Sequence, residues 1–259
     1  MNAAVPGEML AGCKWIGIPF AGGMPELLHM KASTIVVNDL HRHVINAARV
    51  VADEELSKKM IEQLNGLPFH PDVLSDAQCV CQNFTPSPME IPSLPLAVAY
   101  FVSQWMGRSG NGGKKKEFSG KLPVRTNGNG GDSNRRFRSA VEAITDFHVA
   151  MRCCNFTCCD AFEFFDQHCR DDPSNGLYID APWPGAGGEY LHRVDDETFH
   201  CRIRDRLLQF ALSPIVVRYG EHELIRDLYS DAGQWEITEV SGRTQHGKNP
   251  ELFIRSVGL

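Results

Sequence analysis

Four short apolar runs, each broken off sharply by a glycine, a proline or an acid, constrain this chain more than anything else in it. They are Trp15-Ile16-Gly17-Ile18, Thr34-Ile35-Val36-Val37, Leu177-Tyr178-Ile179 and Ile215-Val216-Val217. Runs of this length suit buried strands, and helix-length segments stand between them. Strands that alternate with helices need crossover connections, so the expected fold is α/β, a doubly wound open sheet. Helices are expected over 40–51, 53–64, 72–80, 94–106, 135–152, 197–212 and 221–229, and Pro25 fits the first turn of another. In 135–152 the apolar face is Phe137, Val141, Ile144 and Val149. Further strands are expected over 155–159, 235–240 and 252–255, the last two as an antiparallel-looking pair.

The strand ends carry the polar groups that an open sheet offers to a ligand. The first run opens into Pro19-Phe20-Ala21-Gly22-Gly23, a turn where backbone can approach a ligand closely. The second ends at Asn38-Asp39, and an acid there, some twenty residues after a glycine turn, is the usual acceptor for a cofactor's ribose hydroxyls. Asp39 also suits the N-cap of the helix that follows. The strand near 155–159 ends at Asp160. The third run ends in Asp180-Ala181-Pro182-Trp183: an acceptor, a stiff turn and a flat aromatic face, which together suit a planar group bearing an exocyclic amine.

At 259 residues and 42% hydrophobic, the chain can bury a full core. Its apolar stretches are far shorter than the roughly 20 residues of a membrane span. The N-terminal residues carry acid in place of a basic region, so no signal peptide is expected. Nine cysteines, an odd number in apolar or helical contexts, read as reduced thiols of a cytoplasmic protein. In Cys153-Cys154-Asn155-Phe156-Thr157-Cys158-Cys159, neighbouring cysteines on a strand would face opposite ways, so small buried residues are expected there and no metal site.

The net charge of −6 is unevenly spread. Residues 107–138 hold nine basic side chains (Arg108, Lys114, Lys115, Lys116, Lys121, Arg125, Arg135, Arg136 and Arg138) against Glu117 and Asp132, so that segment is +7 and the remainder −13. A basic patch on an acidic body is an electrostatic footprint for a polyanion, and eight glycines in 107–134 make a lid or binding arm the natural use of the segment. The division expected is a catalytic core of 1–55 with 140–259, and a helical insertion of 56–139 that carries the basic loop and recognises the target.

Pro19-Phe20-x-Gly22, Asn38-Asp39 and Asp180-x-Pro182-aromatic, in that order, resemble the Dam-like adenine-specific DNA methyltransferases, and among them the phage and prophage members. The resemblance extends over most of the chain, through Asn46, Trp105-Met106-Gly107-Arg108, Gly130-Gly131-Asp132-Ser133 and Glu251-Leu252-Phe253-Ile254. It implies a class I methyltransferase (Rossmann-like) sheet and S-adenosylmethionine as cofactor. Pro19 to Gly23 would lie against the cofactor, Asp39 would hold its ribose and Asp160 would lie near its adenine. Double-stranded DNA would be the partner, with the target adenine flipped out into the tetrad at 180–183. There Asp180 and the Ala181 carbonyl would accept the amine hydrogens while Trp183 stacks on the base. Arg108, Lys114, Lys115, Lys116, Lys121, Arg125, Arg135 and Arg136 would meet the DNA. Three departures from the family pattern stand out: Ala181 in place of proline, Ile18 and Met24 in the first motif, and no Gly-Gly-Lys segment ahead of the first strand. They keep open a homologue that binds DNA without catalysis; a methyltransferase acting on RNA is a separate alternative, although such relatives usually begin the tetrad with Asn where this chain has Asp180.

Overall fold

Each of the four apolar runs forms a strand in the computed structural model, which describes residues 2–107, 116–123, 132–185, 197–231, 233–241, 243–244, 247–248 and 250–257. The strands are β1 (Trp15–Ile18), β2 (Thr34–Asn38), β3 (Cys154–Thr157), β4 (Asn175–Ile179), β5 (Ile215–Gly220), β6 (Trp235–Val240), β7 (Arg243–Thr244), β8 (Gly247–Lys248) and β9 (Glu251–Ser256). Seven of them make one open sheet in the order β3-β2-β1-β4-β5-β9-β6, and β7 and β8 pair as a separate antiparallel ribbon. β1 runs parallel to both β2 and β4, and β4 runs parallel to β5. β9 enters antiparallel between β5 and β6. This is the doubly wound, Rossmann-like α/β sheet expected from the sequence.

The described residues pack as two compact units, Met1–Leu40 with Cys159–Leu259, and His41–Cys158. In the first, α7 (Ala161–His168), α8 (Glu197–Leu207) and α9 (Glu223–Leu228) cover one face of the sheet. Phe164, Phe165, Ile203 and Leu207 from these helices meet Leu177, Ile179, Ile215 and Val217 from β4 and β5 in one buried cluster. Each such side chain contributes about 1.5–3 kcal/mol on burial, so the alternating inward residues hold the sheet's register. The other face carries α1 (Ala4–Met9), a short helix that the sequence reading leaves out. Gly176 lets the chain just after α1 press onto β4. A Cβ there would stand 2.9 Å from the Cys13 sulfur and 3.1 Å from a Leu10 methyl.

The second unit is helical: α2 (Arg42–Ala52), α3 (Glu54–Gly66), α4 (Pro71–Asn83), α5 (Leu94–Met106) and α6 (Ser133–Met151), with a 3₁₀ turn at Glu117–Ser119 and strand β3. Met60, Leu64, Leu74, Val102, Met106, Phe137, Val141 and Ile144 are buried in it. Val149, expected on the apolar face of α6, is 58% exposed, and Met151 takes the buried position. Buried positions at 137, 141, 144 and 151 follow the helical repeat, which carries residue 149 round to the other side. Among the described residues no helix is long and apolar enough to cross a membrane.

Several boundaries move for local reasons. The helix expected from Pro25 is a single 3₁₀ turn, Pro25–Leu28, entered through Met24 in a left-handed conformation. The helix after β2 is capped at His41, so Asp39 is not its N-cap. Of the clustered cysteines only Cys154 lies in β3, because Cys153 belongs to the preceding turn and Cys158 and Cys159 follow the strand. The opposite-faces argument therefore does not apply to those pairs.

Candidate functional site

The sheet reverses its winding between β1 and β4, and the carboxyl ends of those two strands are where an open sheet leaves a crevice. Pairing of Gly17 with Leu177 carries the ends of both strands to one place, so the Pro19 turn and the Asp180 tetrad emerge side by side.

The β1 turn is held by the end of β2. Asn38, wholly buried, donates from Nδ2 to the Pro19 carbonyl at 3.1 Å and the Cys159 carbonyl at 2.9 Å. Its Oδ1 accepts the Cys159 backbone N–H at 3.0 Å, and its own carbonyl accepts from the Ala21 N–H at 2.9 Å. The buried end of β2 so ties two loops together, with the polar atoms of the Asn38 amide satisfied. Asp39 then accepts the Gly22 N–H at Oδ2, 2.9 Å. Gly22 sits at φ +51°, and no atom lies within 4 Å of where its Cβ would be, so the turn presents bare backbone to open space. Met24, which stands where the resembled motif has glycine, adopts φ 57° and buries its side chain. Such a conformation strains a non-glycine residue by about 1–2 kcal/mol, which the buried thioether offsets.

Asp180 follows β4 directly and is part of a charged cluster. Its Oδ2 lies 3.2 Å from Arg218 Nη1, and its Oδ1 accepts from the Trp183 indole N–H at 3.3 Å. The same Nη1 reaches Glu26 at 2.9 Å, and Nη2 reaches Glu251 at 3.1 Å. One buried guanidinium thus faces three carboxylates from three parts of the chain. Burial pushes the Asp180 carboxyl up to about 6, with Arg218 opposing the rise and Glu26 adding to it. The rise occurs although 26% of the side chain still meets solvent. The phenol of Tyr178, two residues earlier on the same face, is raised by burial first and by Asp180 next, and stays neutral. Ala181 points the other way, 1% exposed within the sheet's helix-covered core, where a small side chain fits. Trp183 lays its ring on the backbone of β5, where a Cβ on Gly220 would come within 2.5 Å of it. One face of the indole is therefore already covered, and its N–H occupies the oxygen that the sequence reading assigns to a substrate amine.

Asp160 is exposed and caps α7, accepting the Phe162 N–H at 2.8 Å. Above that cap, Phe20 from the β1 turn, Phe162 and Phe199 meet edge to face, with centroids 6.2 and 6.3 Å apart. All three rings are partly exposed. Of the expected DNA contacts, Arg108, Lys114, Lys115 and Arg125 lie outside the described residues; Lys116, Lys121, Arg135 and Arg136 are exposed. Arg138 is spent on structure: its guanidinium donates to the carbonyls of Leu64, Asn65 and Leu67, closing the end of α3.

The sequence reading misses Arg218, Glu26, Glu251 and the stapling role of Asn38. Arg218 had a visible signal, a lone cation inside the apolar run Ile215-Val216-Val217-Arg218-Tyr219. The groups that would hold the adenosine end of S-adenosylmethionine are the open backbone at Gly22, the partly exposed Asp39 carboxylate beside it, and the partly exposed rings of Phe20 and Phe162, with Asp160 capping the helix that carries Phe162. Among the described residues no group of three His, Cys, Asp or Glu side chains is arranged to hold a metal ion.

No protein-family model matches this chain. No curated protein matches it either. Among solved structures, an rRNA methylase from Streptococcus thermophilus matches with a TM-score of 0.39 at 9% identity, over 100% of this chain and 95% of that one. So distant a likeness leaves activity and substrate to the chemistry of the site.

Proposed function

We propose that this chain is an S-adenosylmethionine-dependent methyltransferase of the Dam-like kind, acting on the exocyclic amine of adenine in DNA. The observation that carries the reading is the juxtaposition at the winding reversal: Asp39 bonded to the glycine turn after β1, and on the adjoining strand end a partly exposed carboxylate flanked by an indole. A ribose acceptor beside bare backbone, next to an amine acceptor beside an aromatic plate, supports a site for two purine-bearing groups.

The chain's residues would act mainly by orienting and desolvating. Bound S-adenosylmethionine would supply an electrophilic sulfonium methyl group, its carbon–sulfur bond giving up the methyl and leaving a neutral thioether. Asp39 accepts from the ribose hydroxyls, and the Gly22 N–H keeps its carboxylate aimed. Asp180 accepts one hydrogen of the target amine and the Ala181 carbonyl the other, which turns the nitrogen lone pair out of conjugation with the ring. For that, the Trp183 N–H must release Oδ1, and the indole must leave Gly220 to stack on the base. The same Oδ1 is then placed to take the proton that the nitrogen loses once its new bond to carbon forms. Alignment in a site closed to bulk water accounts for most of the rate. Lys116, Lys121, Arg135 and Arg136 would contact phosphates.

A second reading, a homologue that binds DNA without methylating it, is favoured by the engagement of both Asp180 oxygens within the chain itself. Calorimetry with S-adenosylmethionine, followed by transfer of its labelled methyl group to double-stranded DNA and to RNA of matching sequence, separates these readings. Cofactor binding and label in DNA adenine are expected. Absent cofactor binding would overturn the enzymatic reading, and label confined to RNA would overturn the choice of substrate.

A further inference from the structure

We propose that Arg218 is a positioning residue for Asp180: from the carboxyl end of β5 its guanidinium orients that carboxylate and keeps it an acceptor, while Glu26 and Glu251 limit how much of the cation Asp180 receives. This rests on the reading of Asp180 as the acceptor for the substrate amine.

The geometry has three parts. Arg218 Nη1 is shared between Glu26 at 2.9 Å and Asp180 at 3.2 Å, and Nη2 is taken by Glu251 at 3.1 Å. A planar guanidinium has a fixed fork of donors, so a hydrogen bond turned towards one carboxylate is weakened towards the others. Of the three acids, Glu26 and Glu251 are the better covered, at 6% and 15% side-chain exposure, while Asp180 keeps 26%. The two covered acids therefore hold the guanidinium, and the guanidinium presents the third acid to the crevice. If stability alone were served, an apolar side chain of similar volume in the sheet would do as well, because a buried ion cluster at best roughly balances its desolvation.

The charge count makes the arrangement sensitive. With every group ionised, one positive charge faces three negative ones, so the carboxylates repel one another. Other groups on Asp180 are the Trp183 N–H, which favours its anion, and the phenols of Tyr178 and Tyr219, which are neutral. Asp180 stands at about 6, the balance of burial, which raises it most, of Arg218, which lowers it, and of Glu26 and Glu251, which raise it. A protonated Asp180 would carry an O–H where the target amine needs an acceptor, so the Arg218 charge decides the pH at which the site is competent. Removing Arg218 and removing one of its covered carboxylates should therefore move Asp180 in opposite directions. A cluster serving the fold alone would show the same pair of signs in the carboxyl but would not carry the acid limb of activity with it.

The test is a carbon-13 titration of the aspartate carboxyls of the full chain, with the Asp180 signal identified by its loss in Asp180→Asn. It is run on the parent, Arg218→Gln, Arg218→Lys and Glu251→Gln, together with the pH profile of methyl transfer to DNA. Arg218→Gln should raise the Asp180 midpoint by about one unit or more, the usual effect of a neighbouring arginine. Arg218→Lys should restore part of the shift, and Glu251→Gln should lower the midpoint below the parent's. The acid limb of the activity profile should follow in each case. A midpoint unmoved in folded Arg218→Gln, or raised in Glu251→Gln, overturns the proposal. Should Arg218→Gln fail to fold, Arg218→Lys and Glu251→Gln still give opposite signs. Carboxyl shifts as expected without methyl transfer by any form, the parent included, would uphold the positioning and remove the methyltransferase reading.

Discussion

Replacing Asp180 by Asn should make the protein more stable at neutral pH, and the gain should depend on pH. In the folded chain the carboxyl is raised from 3.8 to about 6, chiefly by burial. A group raised in the folded state contributes stability that is full below its unfolded value and is lost as the pH climbs through the folded one. At about 1.4 kcal/mol per unit the whole loss is about 3 kcal/mol, of which about 2 kcal/mol falls between pH 4.5 and 7.5. Asparagine does not titrate, so the variant escapes the loss. Its other changes, a weakened tie to Arg218 and a slightly altered bond from Trp183, are independent of pH and cancel when two pH values are compared. The difference in melting temperature between variant and parent should therefore grow by about 4–8 °C from pH 4.5 to 7.5, at roughly 2–4 °C per kcal/mol for a chain of this size. Thermal melts followed by circular dichroism at the two pH values measure it. A difference that stays constant or shrinks as the pH rises would refute the reasoning. Stability gained at the expense of turnover is what a carboxylate kept for function should show.

Asp39→Ala removes both the acceptor of the Gly22 N–H and the ribose acceptor; calorimetry should show about ten- to hundredfold weaker S-adenosylmethionine binding, the equivalent of about 1.5–3 kcal/mol for charge-assisted bonds. Gly220→Ala would push a Cβ into the Trp183 ring, which has no flexible end to yield; strain of about 1–3 kcal/mol and an altered Trp183 fluorescence are expected, and an unchanged emission with unchanged melting would count against the ring position. Arg135→Ala with Arg136→Ala should weaken DNA binding alike for all sequences and lower the slope of log K against log salt by up to about 1.8, at roughly 0.9 per phosphate contact. An unchanged slope would return both side chains to the solvent.

Much of this fold was legible along the chain because the signals involved are local. Leu94–Met106 and Trp235–Val240 fall where helix and strand patterns place them, since apolar period and capping chemistry act within a few residues. The same holds for the order of motifs at the strand ends: an acid or a glycine after a short apolar run is visible in the sequence as such. The N-terminal helix and the 3₁₀ turn after Met24 were not legible, because each depends on what the neighbouring chain covers, whereas the exposure of Val149 follows from the helical repeat itself. Tertiary structure alone decided the cluster at Asp180. Glu26 and Arg218 meet across 192 positions and Glu251 joins from the antiparallel strand β9, and no local rule pairs residues so far apart. It also decided that Asn38 staples two loops to the end of β2, and that the Trp183 N–H lies on the carboxylate it was expected only to accompany. Hydrogen bonding and charge act through space at a few ångströms, so the composition of a site follows from sheet order and register once these bring distant strand ends together.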